Sequence, residues 1–205
     1  QSEVNVANGT ITNFSGSGAV YTVTINPTVG ATVSVSVAGS VAQDAAGNLN
    51  TASNNFTVVD TDAPTMAITS TTSGVSSGSS SNDSTISLTF TANEVTTDFG
   101  VGDITVSNGS LSDFSATSST VYTATFTPDG QGASTINVAE NRFTDAAGNN
   151  NTAATQFDWT FDTVRPTMTI TSSTAGVTDG STTNDSSIDL TFTSSESTTN
   201  FAVGD

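Results

Sequence analysis

Nineteen Asp and Glu side chains stand against two cations, Arg142 and Arg165, in a chain of 205 residues that holds no His and no Cys. Without imidazole or thiolate there is no catalytic triad, no disulfide and no conventional zinc site. What remains is carboxylate chemistry. Two acids flanking a cleft can hydrolyse a glycoside when burial raises the pKa of one of them. No part of the sequence pattern supplies such a cleft, so the expectation is a protein that is not an enzyme. The other use of carboxylates is to hold a hard cation: Ca²⁺ takes roughly six to eight oxygens, and acids without Lys or Arg neighbours repel one another until a cation lies among them. The candidate metal ligands are Asp60, Asp62, Glu94, Asp98, Asp103 and Asp145, with Asp162 and Glu196 as counterparts further along. No EF-hand or glycine-rich nonapeptide spacing accompanies them.

The same balance bounds the partners. Nucleic acids and anionic membrane surfaces are bound by Lys and Arg that displace counterions, and two Arg against a formal net charge of −17 cannot do this. No run reaches the roughly 18 apolar residues of a spanning helix, so no membrane insertion is expected in this segment. Hydrophobic residues make up 34% and charged residues only 10%. The apolar residues are β-branched or aromatic and regularly spaced, as in a folded Thr-rich β protein and not in disordered low-complexity sequence. An acidic, Lys-free surface suits an extracellular, salt-containing medium.

The elements that must position the acids come in repeats. Asp44-Ala45-Ala46-Gly47-Asn48 returns as Asp145-Ala146-Ala147-Gly148-Asn149, 101 residues later. Asp60-Thr61-Asp62-Ala63-Pro64-Thr65-Met66 returns as Asp162-Thr163-Val164-Arg165-Pro166-Thr167-Met168, and Leu88, Phe90, Glu94 and Phe99 return as Leu190, Phe192, Glu196 and Phe201, all shifted by 102. The period, about a hundred residues, is that of a domain. Within it apolar residues alternate, as in Ile86, Leu88 and Phe90, in Tyr122, Ala124 and Phe126, and in Phe157, Trp159 and Phe161. Alternation of this kind predicts half-buried strands near 65–70, 85–91, 103–107, 111–116, 121–127, 134–140 and 155–161, separated by Asn-Gly, Pro-Asp-Gly and Ala-Gly-Asn breakers. Seven strands per period predict an all-β chain of tandem immunoglobulin-like sandwiches.

Strand directions then locate the acids. The loop at 92–102 and the turn at 145–149 both return to the pole where the linker enters the complete unit, so Asp60, Asp62, Glu94, Asp98, Asp103 and Asp145 are expected to converge there. Either a cation sits among them or the pole is a solvated acidic surface that only keeps the protein soluble. Asp44 and Asp145 are expected to close tight turns on nearby amides whether or not a metal binds. Asp83 and Asp185 lie at the opposite pole, where capping the start of a strand is favoured over meeting Asp162 of the next linker. Arg165, which has Ala63 as its counterpart, could pair with Asp162 and make the two junctions inequivalent.

The fingerprint Val106-Ser107-Asn108-Gly109-Ser110-Leu111-Ser112-Asp113-Phe114, Tyr122-Thr123-Ala124-Thr125-Phe126-Thr127-Pro128, Asp145 to Asn149 and Asp162 to Thr167 resembles that of bacterial Ig-like repeats in giant surface adhesins and other long extracellular proteins. The resemblance covers essentially the whole chain. It implies a structural stalk or filament segment at the bacterial cell surface, in adhesion or biofilm, whose repeats are often stiffened by calcium between domains. The competing class is an Ig-like module that binds glycan, ice or another surface. Ice binding asks for regular Thr-x-Thr faces, and the run Thr123, Thr125, Thr127 is found on one strand only.

The expected organisation is the C-terminal part of one repeat in 1–62, a complete repeat in 63–162 and the N-terminal part of the next in 163–205. Head and tail together amount to one sandwich, overlapping where Glu3 and Asp205 both align with Asp103. The partners are therefore neighbouring copies of the repeat, either covalently continuous in a long array or joined in trans as a fibre by strand complementation. Both require Ile188, Leu190 and Phe192 to share a core with residues equivalent to Tyr21, Val23 and Ile25.

Overall fold

Alternate burial runs through the strands of residues 63–162 in the computed structural model, which describes residues 3–204; Asp205 lies outside the described residues. The chain divides after Asp162 into two units. In the first, β1 (Val4–Ala7), β2 (Gly9–Ser17), β3 (Val20–Pro27), β4 (Val33–Val37) and β5 (Phe56–Val58) form the head. They are followed by β6 (Met66–Ser70), β7 (Ser79–Ser81), β8 (Ile86–Ala92), β9 (Ile104–Ser107), β10 (Gly109–Ala116), β11 (Val121–Pro128), β12 (Gly132–Val138) and β13 (Phe157–Phe161). These last eight make two four-stranded sheets, ordered β10-β11-β8-β6 and β7-β13-β12-β9. Between them Ile86, Leu88, Phe90, Phe126, Ile136, Val138, Phe157 and Trp159 are buried to 2% exposure or less. The chain is all-β and the architecture is Ig-like, as expected.

Several details depart from the sequence reading. An eighth strand, β7, is Ser79-Ser80-Ser81, which has no apolar alternation to announce it and is held through its backbone, parallel to β13. β12 begins at Gly132, two residues before the expected start, because Gly132 and Ala133 continue the ladder opposite Phe161 and Thr160. The Asn108-Gly109 breaker falls between strands as expected, and Asn108, at φ 51°, carries the chain from β9 in one sheet to β10 in the other. A Cβ on Gly109 would stand 2.3 Å from the Phe126 ring, so only glycine lets β10 start there. The Thr face is also broader than one strand, since Thr69, Thr89 and Thr123 stand in one cross-strand row.

The head repeats half of this plan. Its sheets are β1-β4-β5 and the hairpin β2-β3, the counterparts of β9-β12-β13 and β10-β11. The second unit holds β14 (Met168–Ser172) and β15 (Leu190–Ser194), an antiparallel pair equivalent to β6 and β8.

Candidate metal centre at the linker pole

The pole is assembled by hydrogen bonds that begin within a few residues of each acid. Asp145 Oδ1 accepts the amides of Ala147 and Asn149, both at 2.8 Å, and Oδ2 accepts Asn149 Nδ2 at 2.8 Å. Asp44 closes the same turn on Ala46, Asn48 and Asn48 Nδ2 at 2.8–2.9 Å. The bonds from Asn48, side chain first and then backbone, hold the Asp44 carboxyl below the usual carboxylate range although it is exposed. One motif thus appears twice, once on an open surface and once buried at a junction. The turn needs nothing but its own chain.

Each turn hangs from an asparagine that sequence reasoning passed over. Buried Asn151 makes four bonds: Oδ1 accepts from Arg142 N and Phe143 N, and Nδ2 donates to the carbonyls of Ala139 and Thr152, all at 2.7–3.0 Å. Asn50 does the same with Val41, Ala42, Ala38 and Thr51. The signal was present in the sequence, since the repeated motif extends two residues to Asn50 and Asn151.

The loop after β8 is then stitched to the turn and to the linker. Thr96 bridges Asp145, and Thr97 N donates to Thr144 O at 3.1 Å. Thr96 Oγ1 and the Tyr122 hydroxyl lie 2.5 Å apart in the interior. From the linker, Thr65 N donates to Asn93 Oδ1 at 2.6 Å, Thr152 N donates to the carbonyl of fully buried Pro64 at 3.0 Å, and Asn149 Nδ2 reaches Asp60 O at 3.2 Å. Asp60 closes its own short turn on Asp62 N at 3.0 Å.

These contacts bring Asp60, Glu94 and Asp145 together, each offering a carboxylate oxygen within 4.8 Å of the other two. Glu94 is 3% exposed, Asp145 2%, and Asp60 is half-buried. Among the described residues the Glu94 carboxylate receives one hydrogen bond, a long one from Asn93 Nδ2 to Oε1 at 3.3 Å. Burial, then the charges of Asp60 and Asp145, push the Glu94 carboxyl above the usual range; Asn93 opposes this and Asp62 adds to it. Every charge acting on Glu94 there is negative. Gly30 of the head lies over this carboxylate, so that a Cβ at Gly30 would stand 2.6 Å from Glu94 Oε2. The centre therefore lies where the head, the linker and the complete repeat meet.

The remaining candidates are placed otherwise. Asp62 is exposed beside the trio. Asp98 accepts Thr144 N at 2.7 Å and Thr144 Oγ1 at 3.3 Å, tying its loop to the segment before the Asp145 turn, and Asp103 accepts Gly100 N at 2.8 Å at the start of a short 3-10 turn within its own loop. Asp162 follows β13 at the far pole, where its amide donates to Ser81 O at 2.9 Å. Asp83 takes the Ser81 hydroxyl at 2.7 Å and Asp185 takes Thr183 Oγ1 at 2.5 Å, local capping in both cases. Glu196 is exposed in the second unit.

Three carboxylates of mixed burial, two of them with lone pairs beyond those used in turns, fit a hard oxygen-seeking cation such as Ca²⁺ and suit neither zinc nor a soft metal. Among the described residues no helix is long and apolar enough to cross a membrane. A family model described as bacterial Ig-like domain matches residues 1–58 and 60–160. Comparison with curated proteins and with solved structures finds no match.

Proposed function

Because the chain belongs to the bacterial Ig-like domain family, we propose that it is a stalk segment of an extracellular bacterial adhesin or filament, non-catalytic, whose junctions are stiffened by calcium. Bacterial Ig-like domains are in general surface or extracellular modules. The observation that carries the reading is the junction at Asp60, Glu94 and Asp145. It draws one carboxylate from the linker, one from the loop after β8 and one from the Asp-Ala-Ala-Gly-Asn turn, with Gly30 of the preceding repeat against the middle one. These three residues, with Asp62 at the rim, would hold the ion. Its chemistry there is charge neutralisation and cross-linking of linker to repeat. The residues themselves do the positioning: Asn149 ties the turn to the linker, Asn93 holds Thr65, and Thr96 locks Glu94's loop against Asp145.

Thermal unfolding followed by the fluorescence of Trp159, the single tryptophan and a core residue of the complete repeat, tests this directly. In Ca²⁺ the transition is expected several degrees above that in chelator, with a change in hydrodynamic radius as the junction stiffens. Superimposable melting curves with equal radii would overturn the calcium reading.

A further inference from the structure

The inward row of β8 does not stop where its ladder ends. Ile86, Leu88, Phe90 and Ala92 are buried, and the alternation continues through Glu94 and Thr96, at 3% and 6% exposure, while Asn93 and Thr97 are exposed. Glu94 is thus a carboxylate set in step with a hydrophobic row. Apolar packing does not favour a charge at that place, so other contacts must keep it there.

Bonds fix the segment on either side of Glu94. Before it, Ala92 N donates to Thr120 O at 2.8 Å, and Asn93 is paired with Thr65, its amide donating to Thr65 O at 3.2 Å and its Oδ1 accepting Thr65 N at 2.6 Å. After it, Thr96 N donates to Ser119 O at 3.1 Å, Thr96 bridges Asp145, and the Thr96 hydroxyl lies 2.5 Å from that of Tyr122. Tyr122 is 5% exposed, and its ring meets Phe99 edge-on at 4.9 Å and stacks on Phe114 at 5.9 Å. The core therefore fixes the ring and presents its hydroxyl at the pole. A phenylalanine would fill the same space and offer Thr96 nothing. The same residue types recur along the chain, with Tyr21 as the counterpart of Tyr122 and Glu196-Ser197-Thr198 as the counterpart of Glu94-Val95-Thr96.

We propose that Tyr122 is a positioning residue of the carboxylate centre: its hydroxyl, through Thr96, holds the Glu94 loop against the Asp145 turn so that both carboxylates face one cation. Repulsion among Asp60, Glu94 and Asp145 pushes the loop outward when no cation is bound. The bond between the two buried hydroxyls opposes it, because a hydroxyl left alone in the interior loses its partner and gains no water. Tyr122 in this way preorganises the centre before the ion arrives. The coupling is reciprocal: whatever the Thr96–Tyr122 bond adds to ion affinity, the ion adds to that bond, so occupancy at the pole is felt by a ring of the core. The proposal rests on the reading of the junction as a calcium centre and names a residue that governs its affinity without touching the ion.

The chain carries two tyrosines, so in the full chain Tyr21→Phe leaves Tyr122 as the single phenol. In that background calcium is expected to shift the NMR resonance of the Tyr122 Cζ. Tyr122→Phe is expected to weaken calcium binding, measured by calorimetry, about tenfold and, in chelator, to speed hydrogen exchange of the Thr96 and Thr97 amides about tenfold while the β8 amides keep their rates. Thr96→Val should do the same, whereas Thr96→Ser, which keeps the hydroxyl, should stay near the wild type in both. Ile136→Val controls for general destabilisation: it removes a methylene from the core on β12 and should lower the Trp159 melting transition without changing calcium affinity or loop exchange. Unchanged affinity in Tyr122→Phe would overturn the proposal even if exchange quickens, since the bond would then be structural only. Equal losses in Ile136→Val would overturn it as well. If the wild type binds no calcium while Tyr122→Phe still frees the Thr96 and Thr97 amides, the calcium reading falls and the attachment of the loop to Tyr122 stands.

Discussion

Replacing Glu94 by Gln keeps the volume and the Asn93 contact of the junction while removing the charge at its centre. In the metal-free protein three carboxylate oxygens lie within 4.8 Å of one another. At an effective dielectric of about 20, each pair costs roughly 3 kcal/mol, and two of the three pairs involve Glu94. Solvent screening of half-buried Asp60 reduces that cost. A net gain of about 2 kcal/mol is expected for Glu94→Gln in chelator, or roughly 10 °C for a domain of this size. In calcium the order inverts. The wild type gains about 2.7 kcal/mol once the ion is a hundredfold above its Kd, while the variant, short of one charged ligand, gains little. The assay is Trp159 fluorescence against temperature for both proteins, with calcium and with chelator. A variant that melts at or below the wild type in chelator, or that keeps the full calcium shift, would refute the reasoning.

Other consequences follow from the same contacts. In chelator, the folded state binds the Glu94 proton more tightly than the unfolded chain, so wild-type stability relative to Glu94→Gln should fall as pH rises from the ordinary carboxylate range through the raised pKa, and paired pH titrations of melting will show it. Asn151→Ala strands two amides and two carbonyls in the interior and should cost about 3 kcal/mol by denaturant unfolding of the complete repeat, while Asn50→Ala should leave the Trp159 transition unmoved. Gly109→Ala drives a methyl into the Phe126 ring and should cost about 3 kcal/mol in the same assay. Gly30→Ala, at φ 76° and against Glu94 Oε2, should weaken calcium binding measured by calorimetry with little effect on the melting of the complete repeat in chelator.

What was legible in the sequence alone is what depends on local patterns. Alternation of Ile86, Leu88 and Phe90 or of Phe157 and Trp159 marks strands because side chains on a pleated strand fall on alternate faces, and burial then selects the face. The Asp-Ala-Ala-Gly-Asn turn was readable because its bonds run no further than four residues. The pole shared by Asp60, Glu94 and Asp145 followed from strand count alone. Only the tertiary structure decided which acids point inward there. Asp98 and Asp103 stand on the same loop as Glu94, but their carboxylates are taken by the amides of Thr144 and Gly100, a choice set by side-chain direction and by a contact 46 residues away. The strand Ser79–Ser81 was invisible because backbone pairing with β13 holds it and its side chains carry no hydrophobic period. Asn108-Gly109 was legible as a breaker because Asn-Gly favours positive φ; whether the chain there doubles back or crosses to the facing sheet is settled by β11 and β12, which claim the strands on either side of it through ladders no short window contains.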